Sequence, residues 1–276
     1  LVYGLIAHRG FESLLLRQWF RAAAKTRTHI VGVRFVLFPR WADGLQHQGL
    51  LVLFGKERNS MLEKMDEFFN KRLDGYEEHQ LNEIDSAKEF YPFTAGCLPS
   101  KDNAAVLDLG CGTGLELRYY YQLNPTAKVT GIDLSEDMLQ ALKEKFADKQ
   151  PVIIRGSYFD VPFGKGCYDA AVSVESLHHF TKAEKIPLYQ KIYHALAPEG
   201  FFILTDYFAS SNEEEEFFRQ ELLRLKKEQG ISDGEFYHYD TPLTVEHELQ
   251  ALQEAGFSQI EILGQWGATC TIKAQK

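Results

Sequence analysis

Short apolar runs alternate with longer amphipathic segments over residues 104–276 of the chain. A short apolar run bounded by turn residues predicts a buried strand, whereas apolar residues that recur every three or four positions predict a helix. The runs predict strands near residues 104–109, 127–132, 151–155, 168–174 and 199–206. The segments between them predict helices near residues 114–123, 136–147, 182–196 and 212–228. Such alternation is typical of a doubly wound α/β domain built on a mostly parallel sheet.

An N-terminal helical cap is predicted ahead of this domain, over residues 61–100. Its apolar residues recur at helical spacing, at Leu62, Met65, Phe68, Phe69 and Leu73. A second helix is predicted over residues 77–89. Pro92 and Pro99 then predict a loop that leads into the α/β domain, which covers residues 101–276.

The end of the chain predicts one further helix and two strands. Thr244 is a suitable N-cap for a helix within residues 241–256. Residues 260–263 and 268–274 then predict a strand pair, because a glycine-containing turn separates them.

A glycine-rich turn follows the first strand of the α/β domain. Residues 106–114 have the sequence Val-Leu-Asp-Leu-Gly-Cys-Gly-Thr-Gly. Glycines allow the backbone to approach a ligand closely and to adopt angles that other residues avoid. The next strand ends at Asp133, whose carboxylate can accept hydrogen bonds from both hydroxyls of a ribose. The pattern predicts a site for an adenosine-containing cofactor.

The spacing of the turn distinguishes between two cofactor classes. A dinucleotide site requires Gly-x-Gly-x-x-Gly, but here the spacing is Gly110-x-Gly112-x-Gly114, and Leu115 occupies the place of the third dinucleotide glycine. Asp108 would also repel a pyrophosphate, whereas it would attract a sulfonium or an amino group. The turn therefore favours S-adenosylmethionine over NAD and argues against an NAD-dependent oxidoreductase.

With these motifs the chain resembles the class I S-adenosylmethionine-dependent methyltransferases. The resemblance covers roughly residues 104–276, and five stretches match in the family's order: 106–114, 131–135, 156–163, 168–173 and 196–204. It implies a Rossmann-like, seven-stranded sheet of order 3-2-1-4-5-7-6 whose last strand is antiparallel. It also implies that the helical cap covers the cofactor and helps to shape the acceptor pocket.

The resemblance assigns cofactor contacts to residues in three of the stretches and to Val174, which directly follows a fourth. They are Asp108, Gly110, Cys111, Gly112, Gly114, Asp133, Leu134, Ser157, Tyr158 and Val174. The family often has an acid at the position of Ser157. A hydroxyl there can still bond the adenine amino group, but more weakly than a carboxylate.

Three candidates for catalysis follow the fourth and fifth strands, where open α/β sheets bind ligands. His178 and His179 occupy a place where the family commonly has a similar Leu-His-His, and Tyr207 ends the fifth strand. A histidine could act as a base toward the acceptor, or it could simply bond nearby backbone and fix the loop. Adjacent histidines without further ligands in register do not indicate a metal site, so no metal is predicted. The aromatic segment 235–240 is either a lid or a packing element.

Composition limits the class of protein. The four cysteines form no Cys-x-x-Cys pair, which predicts reduced thiols and a cytoplasmic location. No apolar run approaches the ~20 residues that a membrane helix requires, so no membrane partner is predicted.

The first sixty residues differ in charge from the remainder. Residues 1–58 carry nine Lys/Arg and three Asp/Glu, a balance of +6, which leaves −15 for residues 59–276 within the total of −9. One hypothesis is that residues 1–60 are upstream sequence read through and that the enzyme starts at Met61. The peptide Gly-Phe-Glu-Ser can be encoded by the T-arm of a tRNA gene, and Lys-Glu can be encoded by a ribosome-binding sequence. The alternatives are a basic arm for RNA and a small accessory subdomain with strands at 31–38 and 50–54.

The leading functional hypothesis is a methyltransferase that acts on a small-molecule substrate. The runner-up is an enzyme that modifies a tRNA base, although the acidic balance of residues 59–276 argues against an extended nucleic-acid footprint. A non-catalytic protein that binds S-adenosylmethionine is the third hypothesis. The sequence predicts neither the acceptor atom nor the oligomeric state.

Overall fold

A computed structural model describes residues 33–42, 45–54, 61–232 and 234–276, and the chain divides into two units, Leu1–Met61 and Leu62–Lys276. In the first unit, β1 (Val33–Ala42) and β2 (Leu45–Phe54) pair as an antiparallel hairpin. The hairpin overlaps the strands predicted for this segment. The basic side chains that an RNA-binding arm would use lie outside the described part, and the proposed start at Met61 stays a prediction.

The second unit is built on a seven-stranded sheet. Its strands are β3 (Ala105–Leu109), β4 (Lys128–Asp133), β5 (Val152–Arg155), β6 (Tyr168–Val174), β7 (Leu196–Tyr207), β8 (Gln259–Trp266) and β9 (Thr269–Gln275). They are arranged in the order β5-β4-β3-β6-β7-β9-β8, and β9 is antiparallel to both of its neighbours. Counted within the sheet, this is the predicted order 3-2-1-4-5-7-6, which confirms the fold class.

Helices precede the sheet and cover both of its faces. They are α1 (Met65–Asn70), α2 (Tyr76–Glu83), α3 (Ala87–Gly96), α4 (Leu115–Leu123), α5 (Glu136–Lys145), α6 (Lys182–Ala195), α7 (Asn212–Gln229) and α8 (Val245–Glu254). The predicted cap of the last helix is confirmed, because the Thr244 hydroxyl accepts a hydrogen bond from the His247 amide at 3.3 Å. Ser135 caps α5 in the same way, through the Met138 amide at 3.1 Å.

The prediction of one helix over residues 77–89 was wrong. The chain breaks after α2 because Ile84 is extended and Ser86 adopts a left-handed conformation. The predicted loop at Pro92 was also wrong, since Pro92 lies inside α3. A proline inside a helix costs about 3 kcal/mol, but α3 buries Phe90 and Tyr91, and each large apolar side chain contributes about 1.5–3 kcal/mol when buried. Packing therefore outweighs the local preference of the proline.

The alternation of side chains along the central strands builds one core on each face of the sheet. On β3, Val106 faces a cluster that includes residues of α3, α4 and α5, whereas Leu107 faces a cluster with residues of α6 and α8. Both side chains are fully buried. The two cores fix the carboxyl ends of β3, β4, β6 and β7 side by side, and the functional site lies at this edge.

A buried ion pair joins α6 to α8. Lys185 Nζ lies 2.5 Å from Glu248 Oε2, both side chains are at most 1% exposed, and the Tyr189 hydroxyl donates to the other oxygen of Glu248. Removing one partner leaves an uncompensated charge in the core. Such a change usually costs more than the intact pair contributes.

Glu248→Ala is therefore expected to lower the free energy of unfolding by about 3–5 kcal/mol in urea denaturation. The partly exposed pair between Lys182 and Glu254, 2.7 Å apart on the same two helices, supplies the matched control. Glu254→Ala should cost no more than about 1 kcal/mol. Equal stability of the two variants would contradict the assignment of the buried pair.

Candidate active site

The turn after β3 has the conformation that its glycines predict. Gly110, Gly112 and Gly114 have φ angles of 73°, 47° and 70°, in the left-handed region that other residues rarely adopt. A Cβ on Gly110 would overlap the Ser176 side chain. A Cβ on Gly112 would have the Tyr76 hydroxyl as its nearest neighbour, 3.9 Å away. The turn thus leaves room at Gly112 for a ligand to approach the backbone.

Asp133 ends β4 and is held by backbone amides. Its Oδ2 accepts from the Gly112 amide at 2.9 Å, and its Oδ1 accepts from the Ser135 amide at 2.8 Å. Burial raises the pKa of this carboxyl above its usual value, although the amide bonds act in the opposite direction. Each oxygen keeps a second lone pair, so the carboxylate can still accept hydroxyl groups of a ribose.

Three other residues predicted to bind the cofactor lie in this turn or near it: Cys111 is within the turn, Val174 ends β6 and Leu134 follows Asp133. The Cys111 side chain is buried and packs against Gly131, so that a Cβ on Gly131 would lie 2.8 Å from its Sγ. Val174 is buried at the end of β6, and Leu134 is half-buried directly after β4. The thiol therefore fills the protein interior, and Cys111 presents its backbone to the turn. All four cysteines are free, as the sequence predicts.

Ser157 and Tyr158, predicted to contact the adenine, follow β5. The Ser157 hydroxyl accepts from the Phe159 amide at 3.2 Å and so helps to shape this turn. Tyr158 is buried, and its hydroxyl lies 3.3 Å from the hydroxyl of Ser176. Tyr158 lies near the glycine turn, because its ring is 3.7 Å from the position of a Cβ on Gly110.

His178 is fixed by the carboxylate that ends β7. Its Nδ1 lies 2.5 Å from Asp206 Oδ1, while Asp206 Oδ2 accepts from the amides of Leu177 and His178 at 2.9 and 3.0 Å. Burial by itself would lower the pKa of His178, but the charge of Asp206 and the hydrogen bond to it raise this pKa to about 9. The same pairing outweighs burial at Asp206 and lowers the pKa of its carboxyl. The arrangement leaves Nε2 as the nitrogen of His178 that does not contact Asp206, and Nε2 lies 3.8 Å from Asp240 Oδ1.

Asp240 completes a cluster with both histidines and Tyr207. Its Oδ1 lies 3.1 Å from His179 Nδ1 and 3.8 Å from His178 Nε2, and burial together with the charge of Asp240 raises the pKa of the Tyr207 hydroxyl. Asp240 reaches this place because the Thr241 amide donates to the carbonyl of His178 at 2.7 Å. The histidines and Asp240 are near enough for a metal ion to bridge them. The expectation that no further ligand lies in register with the histidines was therefore wrong, although no metal is required by this geometry.

Aromatic side chains connect the histidine cluster to the glycine turn. Phe69 of α1 lies 6.3 Å from Tyr76 and 6.5 Å from His179, measured between ring centroids. On its other side Phe69 lies 5.7 Å from His238, which stacks on Phe68 at 3.4 Å. Segment 235–240 therefore packs against the cap, and both stand over the edge of the sheet.

Comparisons with known proteins identify the family. Residues 106–200 match the model of a methyltransferase domain. The chain is 30% identical over 200 residues to a carboxy-S-adenosyl-L-methionine synthase of Wolinella succinogenes, an alignment that covers 67% of this chain and 80% of that protein. The chain belongs to the class I S-adenosylmethionine-dependent methyltransferase family. S-adenosylmethionine is accordingly the cofactor of this enzyme.

Two further similar proteins share less of this chain's length or sequence. An uncharacterized phycocyanin operon protein W of Pseudanabaena tenuis is 51% identical over 55 residues, which is 20% of this chain and 52% of that protein. A Nostoc punctiforme structure, provisionally assigned as an O-methyltransferase, superposes with a TM-score of 0.57 at 23% identity over 79% of this chain and 63% of the other. The chain spans only about half to two thirds of these two proteins, and the structural match shows the fold alone. Within the described residues, no helix has the length and apolar character of a membrane span.

Two acidic residues of the candidate site escaped the sequence analysis. Glu116 is 4% exposed beside Asp108, although its place in the first turn of α4 is typical of an ordinary solvent-facing acid. Glu175 follows β6 with a φ of 50°, and its Oε1 is buried without a hydrogen-bond partner among the described residues. Burial and the charge of Asp206 raise the pKa of Glu175 to about 8. The signal in the sequence that could have indicated these two acids is that each stands directly next to apolar residues.

Proposed function

We propose that this enzyme transfers a methyl group from S-adenosylmethionine to a hydroxyl of a small-molecule acceptor, with His178 as the base. The observation that carries the proposal is the 2.5 Å contact between His178 Nδ1 and Asp206. A carboxylate at Nδ1 orients the ring and stabilises its charged form, so that Nε2 can take a proton from a substrate. Tyr207 and His179 flank the base and position the acceptor.

The cofactor side of the site is formed by the glycine turn and Asp133. Asp133 is positioned to accept hydrogen bonds from the ribose hydroxyls. Gly110 and Gly112 allow the cofactor to approach the backbone, and Ser157 and Tyr158 border the adenine. Cys111, Gly114, Leu134 and Val174 complete this surface. When bound, S-adenosylmethionine supplies a methyl carbon that the acceptor oxygen can attack while the carbon–sulfur bond breaks and its electron pair stays on sulfur.

A hydroxyl acceptor explains why the site holds a base. An amine or thiolate is nucleophilic enough once aligned, whereas a hydroxyl gains reactivity when its proton is removed. In the proposed step the acceptor proton passes to His178 Nε2 as the new carbon–oxygen bond forms. The proton leaves to solvent after the methylated product has departed.

The surroundings of His178 favour a small acceptor over a nucleic acid. The cap and segment 235–240 enclose the histidines with aromatic rings, which suit an apolar or aromatic molecule. Interactions with the histidines lower the pKa values of the buried Asp206 and the partly exposed Asp240, so both carboxyls are charged at neutral pH. Because His178, with its pKa of about 9, is protonated at neutral pH, the cluster keeps one net negative charge, which would repel the phosphates of a tRNA. We also infer a cytoplasmic enzyme, in keeping with its free thiols.

The rate of methyl transfer should depend on pH through His178. Only neutral His178 can accept the proton, and its pKa is raised to about 9. We expect kcat/KM to rise by about tenfold per pH unit below this value and to level off above it. Asp206→Asn removes a charge that raises this pKa, so the bend in the profile should move to lower pH. A bend that stays in place in this variant would assign it to the acceptor instead of the base.

The proposal is tested by offering acceptors to the full chain with S-adenosylmethionine labelled in its methyl group. The panel contains small phenols, the matching methyl ethers, primary amines and bulk tRNA. Label should enter the phenols and neither the ethers nor the tRNA. Label in tRNA would favour the modification of a tRNA base. Binding of S-adenosylhomocysteine without transfer to any acceptor would contradict the proposal and favour a non-catalytic binding protein.

A further inference from the structure

Three side chains of metal-ligating type lie together on the proposed acceptor side of the site. One ring nitrogen each from His178 and His179 and a carboxylate oxygen of Asp240 lie within 4.8 Å of one another. Asp240 Oδ1 is 3.1 Å from His179 Nδ1 and 3.8 Å from His178 Nε2. Two ligands of one tetrahedral Zn²⁺ lie about 3.3 Å apart, because Zn–N and Zn–O bonds are about 2.0–2.2 Å long. The oxygen is therefore spaced from both nitrogens much as ligands of a single ion are.

Asp240 Oδ1 lacks a hydrogen bond from the described part of the chain. The atom is buried and has no donor of suitable geometry there, although His179 Nδ1 is near. A buried carboxylate oxygen without a donor is costly, and a bound cation satisfies it. The side chain as a whole is 41% exposed, so an ion has a path from solvent to this oxygen.

His178 is held in the orientation that a metal ligand requires. Asp206 Oδ1 lies 2.5 Å from Nδ1, which leaves the lone pair of Nε2 for another partner. Metal-binding histidines usually donate their other N–H to a carboxylate, which fixes the tautomer and makes the ligating nitrogen more basic. Glu175, His178 and Asp206 form a second group of possible ligands. The contact at Nδ1 is too short for Asp206 and that nitrogen to bind one ion, so the ion belongs on the Nε2 side.

The charge of the cluster also favours a cation. The carboxyls of Asp206 and Asp240 are ionised at neutral pH, and protonated His178 supplies one opposing charge. A divalent ion that replaces the proton on Nε2 makes the cluster neutral. The displaced proton leaves to solvent.

The donor set selects the class of metal. Two imidazole nitrogens and one carboxylate oxygen suit Zn²⁺ and the neighbouring late transition metals, whereas Mg²⁺ and Ca²⁺ prefer oxygen ligands alone. We propose that His178, His179 and Asp240 bind a late divalent transition metal ion such as Zn²⁺, and that the bound ion inhibits methyl transfer by occupying His178 Nε2. The inhibition rests on the proposed function, in which Nε2 is the base, but the binding of the ion does not. The metal-free enzyme is the active form.

Metal binding is measured on the full chain after a chelator has removed bound metal. Co²⁺ should give the visible absorption of a tetrahedral site, and Zn²⁺ should displace it, whereas Mg²⁺ should not. Asp206→Asn should lower the affinity for Zn²⁺ by about 10–100-fold, the usual effect of losing the carboxylate behind a ligating histidine. Asp240→Asn should lower it at least as much. His247→Gln is the matched control, because His247 pairs with Glu215 at 2.8 Å in a group without a third ligand among the described residues.

Inhibition is measured as transfer of labelled methyl to a phenol. Zn²⁺ should compete with the phenol, a chelator should restore the rate, and the affinity for S-adenosylhomocysteine should stay unchanged in the parent and in Asp240→Asn. Equal affinity for Zn²⁺ in the parent and Asp240→Asn, or a rate that rises with Zn²⁺, would overturn the proposal. A metal-free enzyme that transfers methyl to no acceptor would contradict the proposed function, and the Co²⁺ and Zn²⁺ titrations would still decide whether this metal site exists.

Discussion

His178→Ala should lower kcat/KM for methyl transfer by about 10²–10⁴-fold, the usual contribution of a positioned base. The affinity for S-adenosylhomocysteine should stay within about twofold, because the imidazole lies at the acceptor side of the site. The expected loss of rate follows from the position of Nε2, which Asp206 fixes through its 2.5 Å contact with Nδ1. Without the ring, the acceptor hydroxyl must lose its proton to water.

The control for this prediction is a histidine outside the cluster. His79 is exposed on α2, and His79→Ala should leave both kcat/KM and affinity unchanged. A His178→Ala enzyme that retains full kcat/KM at every pH would show that the histidine only fixes its loop. That outcome is the structural alternative that the sequence left open.

Asp133→Ala should weaken binding of S-adenosylhomocysteine by about 10²–10⁴-fold. A hydrogen bond to a charged group contributes about 1.5–3 kcal/mol, and this carboxylate is expected to accept two of them from the ribose. The substitution also removes the acceptor of the Gly112 amide, which lies 2.9 Å from Asp133 Oδ2. Calorimetric titration of parent and variant measures the ratio of the two dissociation constants.

Asp137→Ala is the matched control, since Asp137 is an exposed carboxylate in the first turn of the next helix. It should bind S-adenosylhomocysteine as the parent does. Asp133→Asn should give an intermediate affinity, because the amide oxygen can still accept but carries no charge. Equal affinity of Asp133→Ala and the parent would place the ribose elsewhere.

Local chemistry made the cofactor side of the site predictable. The glycines of the turn require left-handed angles that few other residues tolerate, and Asp133 ends the adjacent strand. Because neighbouring parallel strands end at one edge of the sheet, motifs on β3 and β4 had to meet. The order of the outer strands β8 and β9, in contrast, came from the family resemblance, since periodicity does not specify which strand inserts between two others.

The acceptor side depended on contacts between distant segments. Asp240 reaches His178 because residues 236–238 pair with the beginning of the cap, where the Met65 amide donates to Phe236 at 3.0 Å. No local pattern encodes that pairing. Glu116 was overlooked for a different reason: an acid in the first turn of a helix usually faces solvent and stabilises the helix dipole. Only its 4% exposure sets it apart from such an acid.

A crystal structure of the full chain with bound S-adenosylhomocysteine tests the central claim most directly. The account predicts that the ribose hydroxyls lie within hydrogen-bonding distance of Asp133, and that the sulfur is open to the side on which His178 Nε2 stands. A ribose bound away from Asp133, or protein atoms between the sulfur and His178, would contradict it.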